Sequence, residues 1–266
     1  NHHHEVATAG QCEIDIKYDL MTNSADGAQS YKYVVRNVAQ QFGKVATMMP
    51  KPISMDAGSG MHTNVSLWKK DENTFYDKDE ELELSQIGRY FCGGVMEHAK
   101  GLTAITNPTT NSYHRLVPGY EAPVYIAWSS SNRSATIRIP GHFKGEKYAF
   151  MKRMEYRVPD PASNPYLVFS AVLAAGLDGI KKKIEPGDPV KEDIYKMTKS
   201  ERIKRGIDTL PANLGRALDE LESDRKYLAP IFDSEVLDKI IELERRDHRE
   251  IAIRPHPHEF YLYFDV

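Results

Sequence analysis

Residues 61–69 read Met-His-Thr-Asn-Val-Ser-Leu-Trp-Lys, a pattern in which polar side chains recur at every second position. Successive side chains of a β-strand point to opposite faces of the sheet. One face of this strand would therefore carry His62, Asn64 and Ser66, whereas the other face is largely apolar. The pattern predicts a strand that packs on a core with one face and presents polar groups on the other.

A second segment, residues 152–158, has the same alternation with charged groups. Its sequence Lys-Arg-Met-Glu-Tyr-Arg-Val places Arg153, Glu155 and Arg157 on one face and mostly apolar side chains on the other. A row of charged groups is unfavourable to bury unless it binds a metal ion or a charged ligand. We therefore expect these polar faces to be functional.

The composition is that of an ordinary globular domain. The 266 residues suffice for one large domain, and a net charge of −3 gives no reason to expect a nucleic acid as the main partner. Cys12 and Cys92 are too few for a disulfide framework, which favours a cytoplasmic location. No apolar run is long enough to cross a membrane, and no signal peptide is evident, so we expect no membrane partner.

The order of the predicted elements indicates a single α+β domain. Residues 5–18 predict a strand pair with a turn near Gly10, and Ser24 is a predicted N-cap for a helix that ends near Phe42. Further helices are predicted over residues 84–106, 164–183, 213–228 and 234–249, and further strands over residues 122–128 and 133–139. Because strands and helices do not alternate regularly, we expect the strands to be antiparallel.

Three carboxylates and one imidazole could form a metal site. Glu5 and Glu13 flank the first turn and could face each other across a hairpin, while His62 and Glu155 lie within polar rows. Mg²⁺ and Mn²⁺ favour carboxylate oxygen, and Mn²⁺ also accepts an imidazole. For each glutamate alone, a solvated strand charge is the simpler interpretation.

Five arginines within fewer than fifty residues suggest a polyanionic ligand. They are Arg115, Arg133, Arg138, Arg153 and Arg157. The planar guanidinium group donates two parallel hydrogen bonds to a carboxylate or phosphate. Surface salt bridges with neighbouring acids are the alternative.

A long loop over residues 107–123 contains Arg115 and Glu121. Long loops in compact domains are often lids or binding loops, although a plain surface connector is the alternative.

Several motifs occur in the order typical of one enzyme family. They are residues 3–11 (HHEVATAGQ), 49–52 (MPKP), 58–62 (GSGMH), 107–113 (NPTTNSY), 115–123 (RLVPGYEAP), 132–134 (NRS) and 159–161 (PDP). Together they make residues 1–266 resemble the C-terminal catalytic domain of type I glutamine synthetases. The resemblance implies a curved antiparallel sheet that lines the active site and is packed by helices.

This resemblance also implies a reaction, in which ATP, L-glutamate and ammonia give L-glutamine, ADP and phosphate through γ-glutamyl phosphate. The family uses two divalent ions, Mg²⁺ or Mn²⁺. By resemblance, Glu5 and Glu13 match ligands of one ion, and His62 and Glu155 match ligands of the other.

The remaining site residues follow from the same motifs. Gly58, Arg115 and Arg157 match glutamate-binding positions, and Glu121 matches the flap residue that closes the site and helps to deprotonate ammonium. The positions around the ATP phosphates and nucleotide are Ser66, Arg133, Arg138 and Arg153, of which Arg133 is also expected to be catalytic. Tyr195 lies where some bacterial relatives are adenylylated, but its flanks favour an unmodified residue.

The family forms dodecamers of two stacked hexameric rings, and we expect the same homo-oligomer here. The family's N-terminal β-grasp domain and first catalytic strand are not part of this sequence, so the chain alone is expected to be inactive. Two alternatives stay open. One is a γ-glutamyl-amine ligase that uses an amine other than ammonia, and the other is a non-catalytic structural relative.

Overall fold

The computed structural model describes residues 2–7, 10–118, 122–132, 134–141 and 144–265, with side chains from residue 10 onwards. Its strands are β1 His2–Ala7, β2 Gln11–Asp15, β3 Thr63–Val65, β4 Trp68–Lys69, β5 Glu72–Asn73, β6 Tyr125–Ser129, β7 Ala135–Arg138, β8 Met154–Tyr156 and β9 Asp208–Thr209. Its α-helices are α1 Met21–Gln41, α2 Gln86–Glu97, α3 Ala99–Thr106, α4 Ser112–Arg115, α5 Pro165–Lys182, α6 Lys199–Lys204, α7 Leu214–Ser223, α8 Ser234–Ala252 and α9 Pro257–Tyr263. The predicted α+β class is confirmed.

The main sheet brings the two polar segments together as neighbouring strands. Its strand order is β3-β8-β7-β6-β9, and β3 pairs with β8 in antiparallel register. Thr63 lies opposite Tyr156, which lies opposite Ile137 of β7, and all three side chains are buried. This face of the sheet packs on the core, so the alternate residues of the same strands form the opposite, polar face.

One strand pair departs from the antiparallel sheet that we predicted. Among the described strands of the main sheet, β6 and β7 are parallel, whereas the other neighbours are antiparallel. Polar side chains hold the connection between them: Oγ of Ser129 accepts from the N–H groups of Ser131 and Asn132, and Oδ1 of Asn132 accepts from the N–H of Ser134. Residue alternation sets the two faces of a strand but not its direction, so the pattern could not reveal this pair.

Helices α2 and α5 pack with their backbones in contact. A Cβ atom on Gly94 would lie 2.2 Å from the carbonyl oxygen of Ala175, and one on Gly179 would lie 2.2 Å from the carbonyl oxygen of Tyr90. No side chain fits at this crossing. Asn164 caps α5, accepting a hydrogen bond from the N–H of Tyr166, and the helix ends near the predicted position.

The helix predicted over residues 84–106 is two helices, α2 and α3, separated at His98. The buried ring of His98 is held at both nitrogens. Nδ1 lies 2.6 Å from Oδ2 of Asp224, and Nε2 lies 2.9 Å from Oδ2 of Asp178. The ring also stacks on Tyr227, with centroids 3.8 Å apart. Because these contacts come from distant parts of the chain, helical periodicity gave no sign of the break.

Helix α1 begins at Met21, so the prediction of Ser24 as its N-cap is wrong. The amide of Ser24 instead donates to the carbonyl of Leu20 within the first turn. Most apolar residues of this helix stay outside the core. Val34 and Val38 are exposed, as is Phe42 just after its end, and Ala25 alone among the residues of α1 is buried.

The loop predicted over residues 107–123 contains α4, so it is not structureless throughout. None of the helices that the structure describes is long and apolar enough to cross a membrane.

Candidate functional site

The carboxylate of Glu155 is the centre of the polar face. Its Oε1 lies 3.3 Å from Nδ1 of His62 and 3.5 Å from Nε of Arg157, and its Oε2 lies 3.0 Å from an Nη of Arg138. The Glu155 side chain is 8% exposed, whereas those of His62 and Arg138 are about one third exposed, at 34% and 31%. The carboxylate is therefore enclosed together with Arg157, and the partly exposed His62 and Arg138 form the accessible surface beside it.

Strand register explains why these groups meet. Asn64 of β3 lies opposite Glu155 of β8, which lies opposite Arg138 of β7. Nε of Arg153, two residues before Glu155, donates to Oδ1 of Asn64 at 2.8 Å. Two predicted polar rows thus form one surface, and β7 adds Arg138 to it.

The titration of this cluster follows from burial and charge. Burial raises the pKa of Glu155, but the hydrogen bond with His62 and the charge of Arg138 outweigh it, so the net shift is downward. Burial is also the largest influence on the pKa of His62, and it lowers this pKa. The charges of Arg115 and Arg157 lower it further, and together they outweigh the opposing effect of Glu155. At neutral pH the site therefore contains a carboxylate and a neutral imidazole.

Arg115 lies beneath this surface and is 5% exposed. Its guanidinium donates to the carbonyl of Val158 at 2.8 Å and to that of Arg157 at 3.1 Å. Burial lowers the pKa of Arg115 to about 10, which still leaves it charged at neutral pH. A Cβ on Gly60 would lie 2.6 Å from an Nη of Arg115, and one on Gly58 would lie 2.8 Å from its Cγ. The glycine loop can therefore pass directly over the arginine.

The first hairpin, β1 and β2, packs against this glycine loop. Nε2 of Gln11 donates to the carbonyl of Gly58 at 2.9 Å and to Oγ of Ser59 at 3.0 Å. Further along β2, Asp15 acts on Arg153 through its charge. Burial and the charge of Arg138 lower the pKa of Arg153 on balance, and the charge of Asp15 opposes this shift. Because Gln11, Glu13 and Asp15 alternate along one strand, they share the face of β2 that meets the site.

The predicted hairpin is confirmed, but its two glutamates are not partners in the ladder. Glu13 lies opposite His4, and Glu5 lies opposite Cys12. We did not assign roles to Gln11 and Asp15 from the sequence, although their alternation with Glu13 was a usable signal.

A model of the catalytic domain of glutamine synthetase matches residues 1–263. The chain belongs to the glutamine synthetase family. It is 56% identical over 265 residues to a glutamine synthetase from Sulfolobus acidocaldarius, which covers 99% of this chain and 56% of that relative. It is 48% identical over 269 residues to a glutamine synthetase from Archaeoglobus fulgidus, covering 100% of this chain and 54% of the relative. The chain thus spans little more than half the length of the curated relatives that it matches.

Solved structures of the glutamine synthetase fold are also similar to it. A GmaS–ADP complex has a TM-score of 0.86 and 36% identity, and the match covers 97% of this chain and 58% of that one. A cryo-EM structure of Plasmodium falciparum glutamine synthetase has a TM-score of 0.86 and 31% identity, with 99% and 58% covered. The packing of a sheet by helices is therefore that of the glutamine synthetase family.

The residues present fit one divalent ion of the kind that glutamine synthetases use. In octahedral coordination, two neighbouring ligand atoms each lie about 2.1 Å from Mg²⁺, which places them about 3 Å from each other. Nδ1 of His62 and Oε1 of Glu155 are 3.3 Å apart, and the lowered pKa keeps the imidazole neutral and able to ligate. Among the described side chains, no cluster of three or more histidine, cysteine, aspartate or glutamate residues is suited to a metal ion.

The other glutamine synthetase positions differ in how far the structure describes them. Ser66 follows β3, and its Oγ accepts from Nε1 of Trp68 at 2.9 Å. Glu121 and Arg133 lie outside the described residues, as does the side chain of Glu5. Their roles stay predictions, as do all the other ligand and substrate assignments, including those of His62 and Glu155.

Proposed function

We propose that the full-length protein containing this chain ligates ammonia to the γ-carboxylate of L-glutamate, with ATP as the phosphoryl donor. The observation that carries this proposal is the match of residues 1–263 to the glutamine synthetase catalytic domain, together with a described surface of arginines, imidazole and carboxylate. The ADP in the similar GmaS complex supports a nucleotide as one ligand.

The reaction has two steps. A γ-carboxylate oxygen of glutamate attacks the γ-phosphorus of ATP. The bond from this phosphorus to the β,γ-bridging oxygen breaks, which releases ADP and forms γ-glutamyl phosphate. The nitrogen of ammonia then attacks the γ-carbonyl carbon, and phosphate leaves with the bonding electrons. Phosphoryl transfer of this kind depends mainly on positioning and on neutralisation of developing charge.

This chain supplies cations for both substrates. Gly58, Arg115 and Arg157 would bind glutamate, because the arginines lie within and directly beneath the polar surface. Arg138 and Arg153 would bind ATP phosphates from neighbouring strands. By resemblance, Ser66 and Arg133 complete the ATP site, and Arg133 contacts the transferred phosphoryl group.

The proton of ammonium has a proposed acceptor in Glu121. A carboxylate near the attacking nitrogen would take this proton and close the site against water, which would otherwise hydrolyse the acyl phosphate.

The metal ligands would be Glu5 and Glu13 for one ion, and His62 and Glu155 for a second, with Mg²⁺ or Mn²⁺ as the metal. Bound divalent ions neutralise phosphate charge in this class of reaction.

We further propose that the full-length protein is a dodecamer of two hexameric rings. The exposed apolar residues of α1 and α9, such as Val34 and Phe260, are compatible with burial between copies. Native mass spectrometry should give twelve copies, and a stable monomer would refute the assembly.

Glutamine formation by the purified full-length protein tests the reaction. The protein should convert glutamate, ATP and ammonium to glutamine, ADP and phosphate in equal amounts, with Mg²⁺ or Mn²⁺ present. Methylamine and ethylamine, offered in competition with ammonium, test the alternative amine ligase. Preferred formation of a γ-glutamyl amine would replace this proposal, and the absence of any ligation would indicate a non-catalytic relative.

An isotope label tests the intermediate. Glutamate labelled with ¹⁸O in its γ-carboxylate should transfer one labelled oxygen to the released phosphate, because the attacking oxygen becomes part of the acyl phosphate. Release of unlabelled phosphate at the rate of glutamine formation would exclude γ-glutamyl phosphate.

A further inference from the structure

Asp160 is a fully buried carboxylate behind the polar face. Its two oxygens accept from different donors: Oδ1 from the N–H of Ala162 at 3.0 Å, and Oδ2 from Nδ2 of Asn107 at 2.9 Å. An asparagine of the same shape has only one oxygen, so it could accept only one of these two hydrogen bonds. Its NH₂ group would face the other N–H donor. The position therefore requires a carboxylate.

Asn107 connects Asp160 to the backbone that holds Arg115. Its Nδ2 donates both to Asp160 and to the carbonyl of Val158, each at 2.9 Å, and its Oδ1 accepts from the hydroxyl of Thr106. The amide orientation is thus fixed, with the oxygen toward Thr106 and the nitrogen toward Asp160 and Val158.

The carbonyl of Val158 is the shared acceptor. It receives one hydrogen bond from Asn107 and one from the guanidinium of Arg115 at 2.8 Å. A shift of Asn107 would move this carbonyl, and the guanidinium would have to follow it or lose the bond. Asp160 is thereby linked to Arg115 through one side chain and one peptide group.

The opposite charges of Asp160 and Arg115 also link these two residues. Burial raises the pKa of Asp160, and the charge of Arg115 is the largest opposing influence. In turn, Asp160 partly offsets the effect of burial on Arg115. Each buried charge therefore stabilises the other in a region of low dielectric.

We propose that Asp160 is a positioning residue, which holds Arg115 in the orientation that binds the carboxylate of the amino-acid substrate. This inference rests on the proposed function, in which Arg115 binds glutamate. Asp160 acts through Asn107 and the carbonyl of Val158, and it contacts no substrate. Its loss should weaken glutamate binding selectively, because Arg138 and Arg153 on the nucleotide side are held by other groups, Glu155 and Asn64 respectively.

Asp160→Asn in the full-length protein tests the inference, with Asp178→Asn as a matched control. Asp178 is a carboxylate of α5 whose ion pairs are with His98 and Lys182, neither of which is a proposed substrate-binding residue. D160N should raise the KM for glutamate by roughly tenfold or more, with the KM for ATP unchanged. D178N should leave both KM values unchanged. Equal changes in both KM values for D160N, or a lower melting temperature with unchanged kinetics, would overturn the inference.

Glutamate binding by calorimetry, in the absence of ATP, separates this inference from the proposed function. Arg115→Lys should weaken binding whether or not Asp160 matters. If R115K binds glutamate as the wild type does, the assignment of Arg115 fails. If R115K weakens binding and D160N does not, only the role of Asp160 fails. Asn107→Ser provides a second route if D160N does not fold, since loss of the same link should produce the same selective loss of glutamate affinity.

Discussion

Glu155 and Arg138 lie directly opposite each other on β8 and β7, and their charged groups meet at 3.0 Å on the polar face of the sheet. The carboxylate also faces Arg157 and His62, so one negative charge is shared by three neighbouring groups. Removing this charge should affect both the arginines and the proposed metal site.

Glu155→Gln is expected to weaken Mn²⁺ binding by more than about 100-fold, because the loss of a ligand should exceed the roughly 10–100-fold effect of outer-shell changes. Titration of the full-length protein with Mn²⁺ measures the affinity. Glu185→Gln is the matched control, since Glu185 pairs with Arg89, which is not a proposed ligand. Equal affinities for E155Q and the wild type would exclude Glu155 as a ligand.

Gly60→Ala should impair activity more than stability. The new Cβ would lie 2.6 Å from an Nη of Arg115 and 2.9 Å from Nε2 of His62, which are the far ends of two site side chains. These atoms are side-chain ends rather than backbone, so the fold can accommodate the methyl group locally. Moving Arg115 strains its bonds to the carbonyls of Val158 and Arg157, and a displacement of about 1 Å can reduce activity roughly 100-fold. Glutamine formation and the melting temperature should be measured together. Gly27→Ala, with no atom within 4 Å of its Cβ, should keep full activity; a G60A enzyme of normal activity would show that the close approach is irrelevant.

His98 should make stability depend on pH. Burial lowers its pKa, but the hydrogen bonds to Asp224 and Asp178 outweigh burial and raise the pKa above the unfolded value of about 6.5. Protonated His98 therefore stabilises the fold fully below pH 6.5, and this contribution is lost as the pH rises through the raised pKa. The difference in unfolding free energy between the wild type and His98→Asn should shrink over that range, as measured by urea unfolding. A free-energy difference that does not vary with pH would contradict the role of His98. His114→Gln, at an exposed position, controls for the loss of a histidine that is not held in this way.

Gly94→Ala should destabilise the fold severely. Its Cβ would lie 2.2 Å from the carbonyl oxygen of Ala175, and backbone at a helix crossing cannot move as a side chain can. We expect the free energy of unfolding to fall by about 3 kcal/mol or more. Chemical denaturation measures this loss. Gly27→Ala in α1 should instead be neutral or slightly stabilising, because alanine favours helix more than glycine does. A similar result for G94A would mean that α2 and α5 are farther apart than this close approach indicates.

Local patterns predicted much of this structure. The alternation around His62 and Glu155 gave two polar strand faces, and the structure joins them in one sheet. The helix predicted over residues 164–183 also agrees closely with α5, because a long apolar segment and its end signals depend on adjacent residues. Family motifs then supplied the chemistry that alternation alone could not.

The remainder depended on contacts between distant residues. The register that sets Arg138 beside Glu155, and the link from Asn107 to Asp160, join segments far apart in sequence. At the break between α2 and α3, His98 contacts Asp178 and Asp224, which no local window contains. Local propensity yields to tertiary contacts at such positions.

The glycine crossing of α2 and α5 limits how this domain can move. Where backbone meets backbone at Gly94 and Gly179, no layer of side chains is present to change rotamers and let one helix slide gradually past the other. The two helices should therefore behave as one rigid unit, and any rearrangement of the domain should leave their relative position unchanged. In hydrogen exchange, the amides of this unit should open last, with the free energy of global unfolding.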